Sequence, residues 1–451
     1  MGFLKSAVLL LSVPLIGWAA AVRVTTRLTP VCDAPAGAAA CHVLAQARLL
    51  FDASSLSALV VLALLAVIAF TARLCRGNQR RLAAVFGVQI QITLFVLAGL
   101  ILVQGAILTY SVWIVEVVIF HLINIYVLAF LAFGTLVACG AMLWSLATMN
   151  LRFEASALAL PVTRQDQPRL WRFVDDLATA IGGRSPANIL IGLDPSFYIT
   201  GSKVRLTGSR ETVNGETMYL SAAAMRLLSQ EELAAIVAHE LAHFQAADTR
   251  YSRSFLPIYR GLEGAIDRLT ARWSLWSIAL LPTVSLLGFA HGQFSLAERS
   301  ISREREFAAD RTAAGTVGPE RVISSLVKLG TVSPSWPQMR DLAFSLINQD
   351  RALANIPESF EEHARHILTD TTPDVLLGRI IDRQQPHPID THPTLRARAQ
   401  ALGCSLDDAA SLVGAYGAAA SDLLDDSTDL EMRLTVQFND LMAAWTRPSL
   451  G

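Results

Sequence analysis

In the first third of the chain, apolar residues run together instead of alternating with polar ones, at about 3–22, 53–72, 83–109 and 113–146. Each run is long enough to cross a bilayer core with some tilt, so four membrane-crossing helices are expected, the last two joined by a short turn near Tyr110. Beyond residue 150 the pattern becomes that of a globular domain. A helix is predicted over 168–181, then a Gly and Pro turn, a strand at Ile189–Leu193 and a second short extended run at Thr217–Leu220. Ser229-Gln230-Glu231-Glu232 follows directly. It has the form of a capping box, Ser229 capping a helix and Glu232 reaching back to it, so another helix should begin there.

Composition agrees with this division. With 53% hydrophobic and 17% charged residues in 451, the chain is too apolar for an ordinary soluble protein. Residues 1–150 hold only three acidic residues, Asp33, Asp52 and Glu116. A membrane domain over 1–150 is therefore expected, a globular domain over 151–404, and over 405–451 an acidic helical tail carrying Asp407, Asp408, Asp425 and Asp426. Arg73, Arg76, Arg80 and Arg81 lie between the second and third spans, and the positive-inside rule puts them in the cytoplasm. The amino terminus and everything after about 147 then lie in the cytoplasm too, with residues 23–52 outside. Residues 1–22, with Lys5 and Ala19-Ala20-Ala21, also have the form of a cleaved signal peptide. Cys32 and Cys41 share the external loop and can pair; Cys75, Cys139 and Cys404 are isolated. In the fourth span Glu116 can reach the interface, and His121 with Asn124 is expected to hydrogen-bond between helices. A net charge of −1, with no basic domain or phosphate loop, leaves no reason to expect a nucleic-acid partner.

The chemistry concentrates at His239-Glu240-Leu241-Ala242-His243. On a helix, residues four apart project from one face, so both imidazoles can reach a single zinc ion while Glu240 stands beside them as a general base for the attacking water. Leu233, Ile236, Val237, Leu241 and Phe244 give this helix apolar neighbours that bury the histidine face.

A catalytic zinc also needs a third protein ligand. A histidine in the pattern His-x-x-Gly-x-x-His is excluded, because Ala246 and Thr249 stand at those places. Glu306 is favoured over Glu263. Glu306, Ala309, Asp310 and Ala313 form one helix stripe whose small residues permit close approach, with Asp310 one turn on to orient a ligand histidine. Glu263, spaced like a thermolysin-type ligand, sits among Arg260, Asp267 and Arg268 as on a solvated face, and Glu304 reads as an exposed neighbour.

Over about 147–400 the chain resembles the membrane zinc metallopeptidases that include HtpX and the CAAX prenyl proteases. The motifs are Leu233 to His243, Ser302-Arg303 to Asp310, and Thr391-His392-Pro393 followed by Arg398. The resemblance implies a mainly α protein, with amino-terminal transmembrane helices before an α+β zincin-like metallopeptidase domain holding a small β-sheet. It implies one catalytic zinc on His239, His243 and Glu306, Glu240 as base, Asp310 behind the ligands, His392 at the oxyanion and Arg398 anchoring that segment. Where relatives often carry an Asn-Ala-Phe-Ala-like run, this chain has Ser196-Phe197-Tyr198-Ile199-Thr200, which departs from the family's edge-strand substrate contacts.

The expected function is thus a zinc-dependent endopeptidase in a membrane, facing the cytoplasm of a bacterial cell from its inner membrane and cutting membrane-associated or misfolded polypeptides. A processing protease with one partner substrate and a non-cleaving zinc-stabilised scaffold are the alternatives. The apolar run Trp273–Phe294 cannot cross once, since His239 and His243 would then be separated from Glu306 by the bilayer. A hairpin bent at Pro282, or one arm of a double crossing partnered by 251–268, is expected there.

Overall fold

The computed structural model describes all residues except 1, 33–37, 149–154, 210, 246–258, 260–261, 263–265, 267–274, 370–371, 373–374, 379, 381–392, 415–416 and 447–451. The chain is mainly helical with small mixed sheets, and it forms two compact units. One comprises Met1–Arg152 and Phe255–Glu298, the other Phe153–Ser254 and Arg299–Gly451.

In the first unit, α1 (Gly2–Cys32), α2 (Ala38–Leu74), α3 (Gln79–Val115) and α4 (Ile125–Thr148) follow the apolar runs. Among the described residues these are four helices long and apolar enough to cross a membrane. Small and polar residues bring them together. A Cβ on Gly105 would lie 2.1 Å from Thr135, so only glycine lets α3 and α4 approach this closely. The Gln104 amide donates to the carbonyl of Leu10, 3.0 Å away on α1. Phe130, Phe133, Leu136 and Trp144 of α4 point outward, as a lipid-facing surface requires. Cys32 and Cys41 are joined by a disulfide.

The turn between the last two spans is not near Tyr110. α3 runs on through a π-helical turn, Glu116–Phe120, to His121 in the left-handed region. The Glu116 carboxylate accepts the Asn124 N–H at 3.0 Å, and the Asn124 side chain accepts the N–H groups of Tyr126 and Val127 as the N-cap of α4. Polar residues expected inside a span therefore close the turn, and the bonds of Asn124 are local, not interhelical.

The second unit begins with β1 (Ala155–Ala157), β2 (Ala159–Val162), α5 (Pro168–Ala180), β3 (Asn188–Gly192), β4 (Tyr198–Thr200), β5 (Val204–Leu206), β6 (Thr212–Val213), β7 (Thr217–Ser221), the short α6 (Ala222–Met225) and α7 (Gln230–Gln245). Strands lie in the order β2-β3-β7-β4, parallel only between β3 and β7, and a second sheet has the order β1-β5-β6. The predicted helix and both predicted strands are present. The remaining strands are two to four residues long, too short to show an alternating pattern. Leu170 and Val174 of α5, Ile189 and Ile191 of β3, and Leu233 and Val237 of α7 form the core between sheet and helices.

A long helix, α8 (Leu275–Val317), passes through Pro282 without a break, so the expected hairpin at Pro282 is not formed, while the alternative crossing partner, 251–268, lies mostly outside the described residues. Proline removes one backbone bond there, which a helix among apolar neighbours tolerates. The Ser6 hydroxyl donates to the Ser285 carbonyl at 2.9 Å, and Phe294 packs edge-on against Phe86, so the first part of α8 belongs to the membrane-type unit.

Then come α9 (Pro319–Val332), α10 (Trp336–Ile347), α11 (Ile356–Thr369), α12 (Leu395–Leu402), α13 (Leu406–Ser411) and α14 (Ser427–Thr446). Leu430, Leu434 and Phe438 of the acidic carboxy-terminal segment enter the same core as α7.

The start of α7 is fixed in three ways. The capping box is formed, with Ser229 N–H donating to Glu232 at 2.8 Å and Glu232 N–H to the Ser229 hydroxyl at 3.2 Å. Lys328 of α9, fully buried, donates to Glu232 at 2.7 Å and to the Leu227 carbonyl at 3.2 Å. The 418–420 backbone pairs with Leu228 and Gln230. Removing one partner of a buried ion pair strands the other, so Lys328→Met should destabilise the fold by about 3 kcal/mol. Lys328→Met paired with Glu232→Gln should recover part of that loss. Denaturant unfolding of the purified chain measures both, and an unchanged midpoint in the single variant would refute the assignment.

Candidate active site

His239 and His243 lie one turn apart on α7, their Nε2 atoms 3.1 Å from each other. Glu306 on α8 completes a triangle, one carboxylate oxygen 3.5 Å from His239 Nε2 and the other 3.4 Å from His243 Nε2. A tetrahedral ion with bonds of about 2.0–2.1 Å places its ligand atoms about 3.3 Å apart, so these three donors stand close to the separations such an ion imposes. The approach of the two helices is possible because Ala235 and Ala238 of α7 meet Ala313 of α8. Among the described residues, His239, His243 and Glu306 are a group that could hold a metal ion.

Behind the triangle, His239 Nδ1 lies 3.0 Å from Asp310, which fixes the ring and leaves Nε2 to face Glu306 and His243. Arg398 of α12 holds Asp310 in a two-pronged grip, Nε donating at 2.8 Å and Nη2 to the other oxygen. Its position follows from local structure, since Thr394 caps α12 and places Arg398 in the first turn. Arg398 also comes within 3.5 Å of His239 Nδ1 and 3.7 Å of Glu306, so the residue expected to anchor the His392 segment stands at the site itself.

The electrostatics invite a positive charge. Burial lowers the proton affinity of His239, but Asp310 and Glu306 outweigh it and push its pKa up to about 9. Burial opposes the charged form of Asp310 as well, yet hydrogen bonds from His239 and Arg398 hold it below the usual carboxylate range. Two imidazoles and a carboxylate converging in such a field are a suitable donor set for a zinc-like dication.

Glu240, next along α7, has its pKa raised chiefly by burial, partly offset by the two neighbouring histidines and by a hydrogen bond accepted from the Ile199 N–H. Ile199 belongs to β4, the edge of the four-stranded sheet, so the unfamiliar run at 196–200 still supplies an edge strand beside Glu240. That contact was missed in the sequence, although Tyr198-Ile199-Thr200 after Asp194-Pro195 has the β-prone composition of a short strand. Arg305 was missed too: its guanidinium donates to the His243 carbonyl at 3.3 Å, in the last turn of α7. Glu304 is exposed. Glu263 and His392 lie outside the described residues.

Residues 210–404 match the family model described as Peptidase family M48. The chain is similar to proteins named Protease HtpX homolog from several organisms. The one from Pyrococcus furiosus is 29% identical over 184 residues, 37% of this chain and 58% of that protein. That from Tropheryma whipplei is 27% identical over 219 residues, covering 46% and 71% of the two chains, and that from Streptococcus equi subsp. equi 24% over 240 residues, covering 48% and 77%. The match thus spans under two thirds of the Pyrococcus furiosus relative. No solved structure matches the chain. The domain at 210–404, with four apolar helices ahead of it in the sequence, is thus similar to Peptidase family M48 and to the proteins named Protease HtpX homolog.

Proposed function

We propose that this chain is a membrane-anchored zinc-dependent endopeptidase that hydrolyses peptide bonds of membrane-associated or misfolded polypeptides. The observation that carries the reading is the convergence of His239, His243 and Glu306 from two helices, with Glu240 half-buried beside them. A zinc ion held there would polarise the scissile carbonyl and lower the pKa of water to near neutrality. Glu240 takes the proton from the attacking water and delivers one to the leaving amine, a task for which burial raises its proton affinity. Asp310 keeps the His239 ring oriented, and Arg398 keeps Asp310 ionised and in place. The open side of β4 suits an extended peptide, whose backbone would pair with it as an added strand irrespective of sequence. His392 is assigned to the developing oxyanion by family resemblance.

Glu240→Gln should leave zinc bound while cleavage of an unfolded protein falls by about 10²–10⁴-fold or more. Retained cleavage would remove Glu240 from the mechanism, and a wild-type chain that binds zinc without cutting would favour the scaffold reading.

Glu306→Ala should lower both zinc content, measured by elemental analysis, and activity, whereas Glu304→Ala and Glu263→Ala should keep most of each. Loss of metal from Glu263→Ala alone would transfer the ligand role to Glu263.

The arginines at 73, 76, 80 and 81 favour a peptidase domain on the cytoplasmic side, and the Cys32–Cys41 disulfide is consistent with an oxidising exterior at the other ends of α1 and α2. With the free native cysteines replaced, cysteines at Gln79 and Asp176 should react in intact cells only with membrane-permeant reagents, and one at Leu122 with impermeant reagents as well. Labelling of the Asp176 position from outside would invert the orientation.

A further inference from the structure

The hydrogen bond from Ile199 to Glu240 comes from a strand of only three residues at the edge of its sheet, so something must hold that strand still. Pairing with β7 supplies part of the support. Tyr198 and Tyr219, directly opposite in register, stack with ring centroids 4.9 Å apart. The rest comes from the connection between β3 and β4. The indole N–H of Trp336, the first residue of α10, donates to the Asp194 carboxylate at 2.6 Å. The Ser333 hydroxyl donates to the Pro195 carbonyl at 3.2 Å, and the Tyr219 hydroxyl reaches the Asp194 carbonyl at 3.4 Å. Gly192, at the end of β3, makes room for this, since a Cβ there would lie 2.2 Å from the Tyr219 hydroxyl.

These contacts form a bracket. Trp336 is itself held in the main core, buried at 6% exposure with its ring edge-on to Phe360. A buried indole N–H needs an acceptor, and Asp194, exposed on the loop, provides one. A surface loop is thereby tied to a rigid core residue a few positions before the strand that meets Glu240.

We propose that Asp194, held by Trp336, is a positioning residue for peptide hydrolysis: it fixes the β3–β4 connection so that β4 presents the Ile199 N–H to Glu240 and its open edge to substrate. This rests on the peptidase reading. Neither residue touches the reacting atoms, and Trp336 and Asp194 lie outside the motifs at 233–243, 302–310 and 391–398. Loosening the bracket should weaken pairing of the peptide with β4 and misplace the base, so KM should rise and kcat should fall together, with the metal ligands untouched.

The test uses the full chain in detergent, with labelled unfolded casein as substrate. Trp336→Phe, which keeps the ring but loses the N–H, and Asp194→Ala should each lower kcat/KM by about tenfold, with zinc content unchanged. Asp194→Asn, which keeps an acceptor for the indole, should recover to within about threefold of the parent. The double variant Trp336→Phe with Asp194→Ala should be no worse than either single, because both remove one interaction. Parental kinetics in both singles, or losses that multiply in the double variant, would overturn the proposal. Hydrogen exchange gives a readout that needs no cleavage. Amides at 196–200 should exchange faster in Asp194→Ala and in Trp336→Phe, while those at 230–245 stay protected. Unchanged exchange at 196–200 in the variants sinks the bracket whatever the activity, whereas faster exchange in the variants of a parent chain that does not itself cleave would leave the bracket standing and remove the peptidase reading.

Discussion

Two helices from distant parts of the chain must bring two imidazoles and a carboxylate within about 3.3 Å of one another, and the rest of the second unit can be understood from that demand. Helix axes normally pass 8–10 Å apart, with side-chain size setting the distance. Alanines at 235, 238 and 313 allow a close passage, and Glu306 and the histidines span what remains. Such a cluster buries charge, which is costly unless every partner is placed. Asp310 and Arg398 supply the placement, one bonding the ring and the other bonding the carboxylate. The same logic recurs at the start of α7, where Lys328, Ser324 and the Ser229 N–H satisfy the buried Glu232.

Features that depend on local pattern were legible in the sequence. The capping box at Ser229, the histidine spacing on α7 and the stripe from Glu306 to Ala313 need only helical periodicity, and each takes the expected form. The apolar runs likewise announced the first-unit helices, but not their ends. Spans 113–146 and Gln79–Phe120 differ because hydropathy cannot distinguish a tight turn closed by Glu116 and Asn124 from continuing helix. Pro282 misled for a related reason: a proline weakens a helix by one bond, and whether the helix ends there depends on neighbours that no local window contains.

Contacts between remote segments were invisible. Lys328 reads as an ordinary surface lysine on an amphipathic helix, and only the fold reveals that it is buried against Glu232. Arg398 showed its importance through resemblance, yet its grip on Asp310 spans 88 residues of sequence. The acidic carboxy-terminal segment presented its aspartates as the salient feature, while its structural contribution comes from Leu430, Leu434 and Phe438 between them.

On the proposed reading, Glu240 and the edge strand β4 lie side by side because base and peptide would have to meet. Burial raises the proton affinity of Glu240, and the neighbouring histidines and a backbone N–H each moderate that effect. The N–H comes from a strand that is the edge of its sheet among the described residues, so on the proposed reading the element beside Glu240 would also suit an incoming chain. Short of proline, which removes the N–H, a substitution at position 199 leaves this donor in place, so the strand's supports are the means of adjusting it finely. Because those supports lie at the β3–β4 connection and on α10, the surroundings of Glu240 are tied to residues distinct from His239, His243 and Glu306.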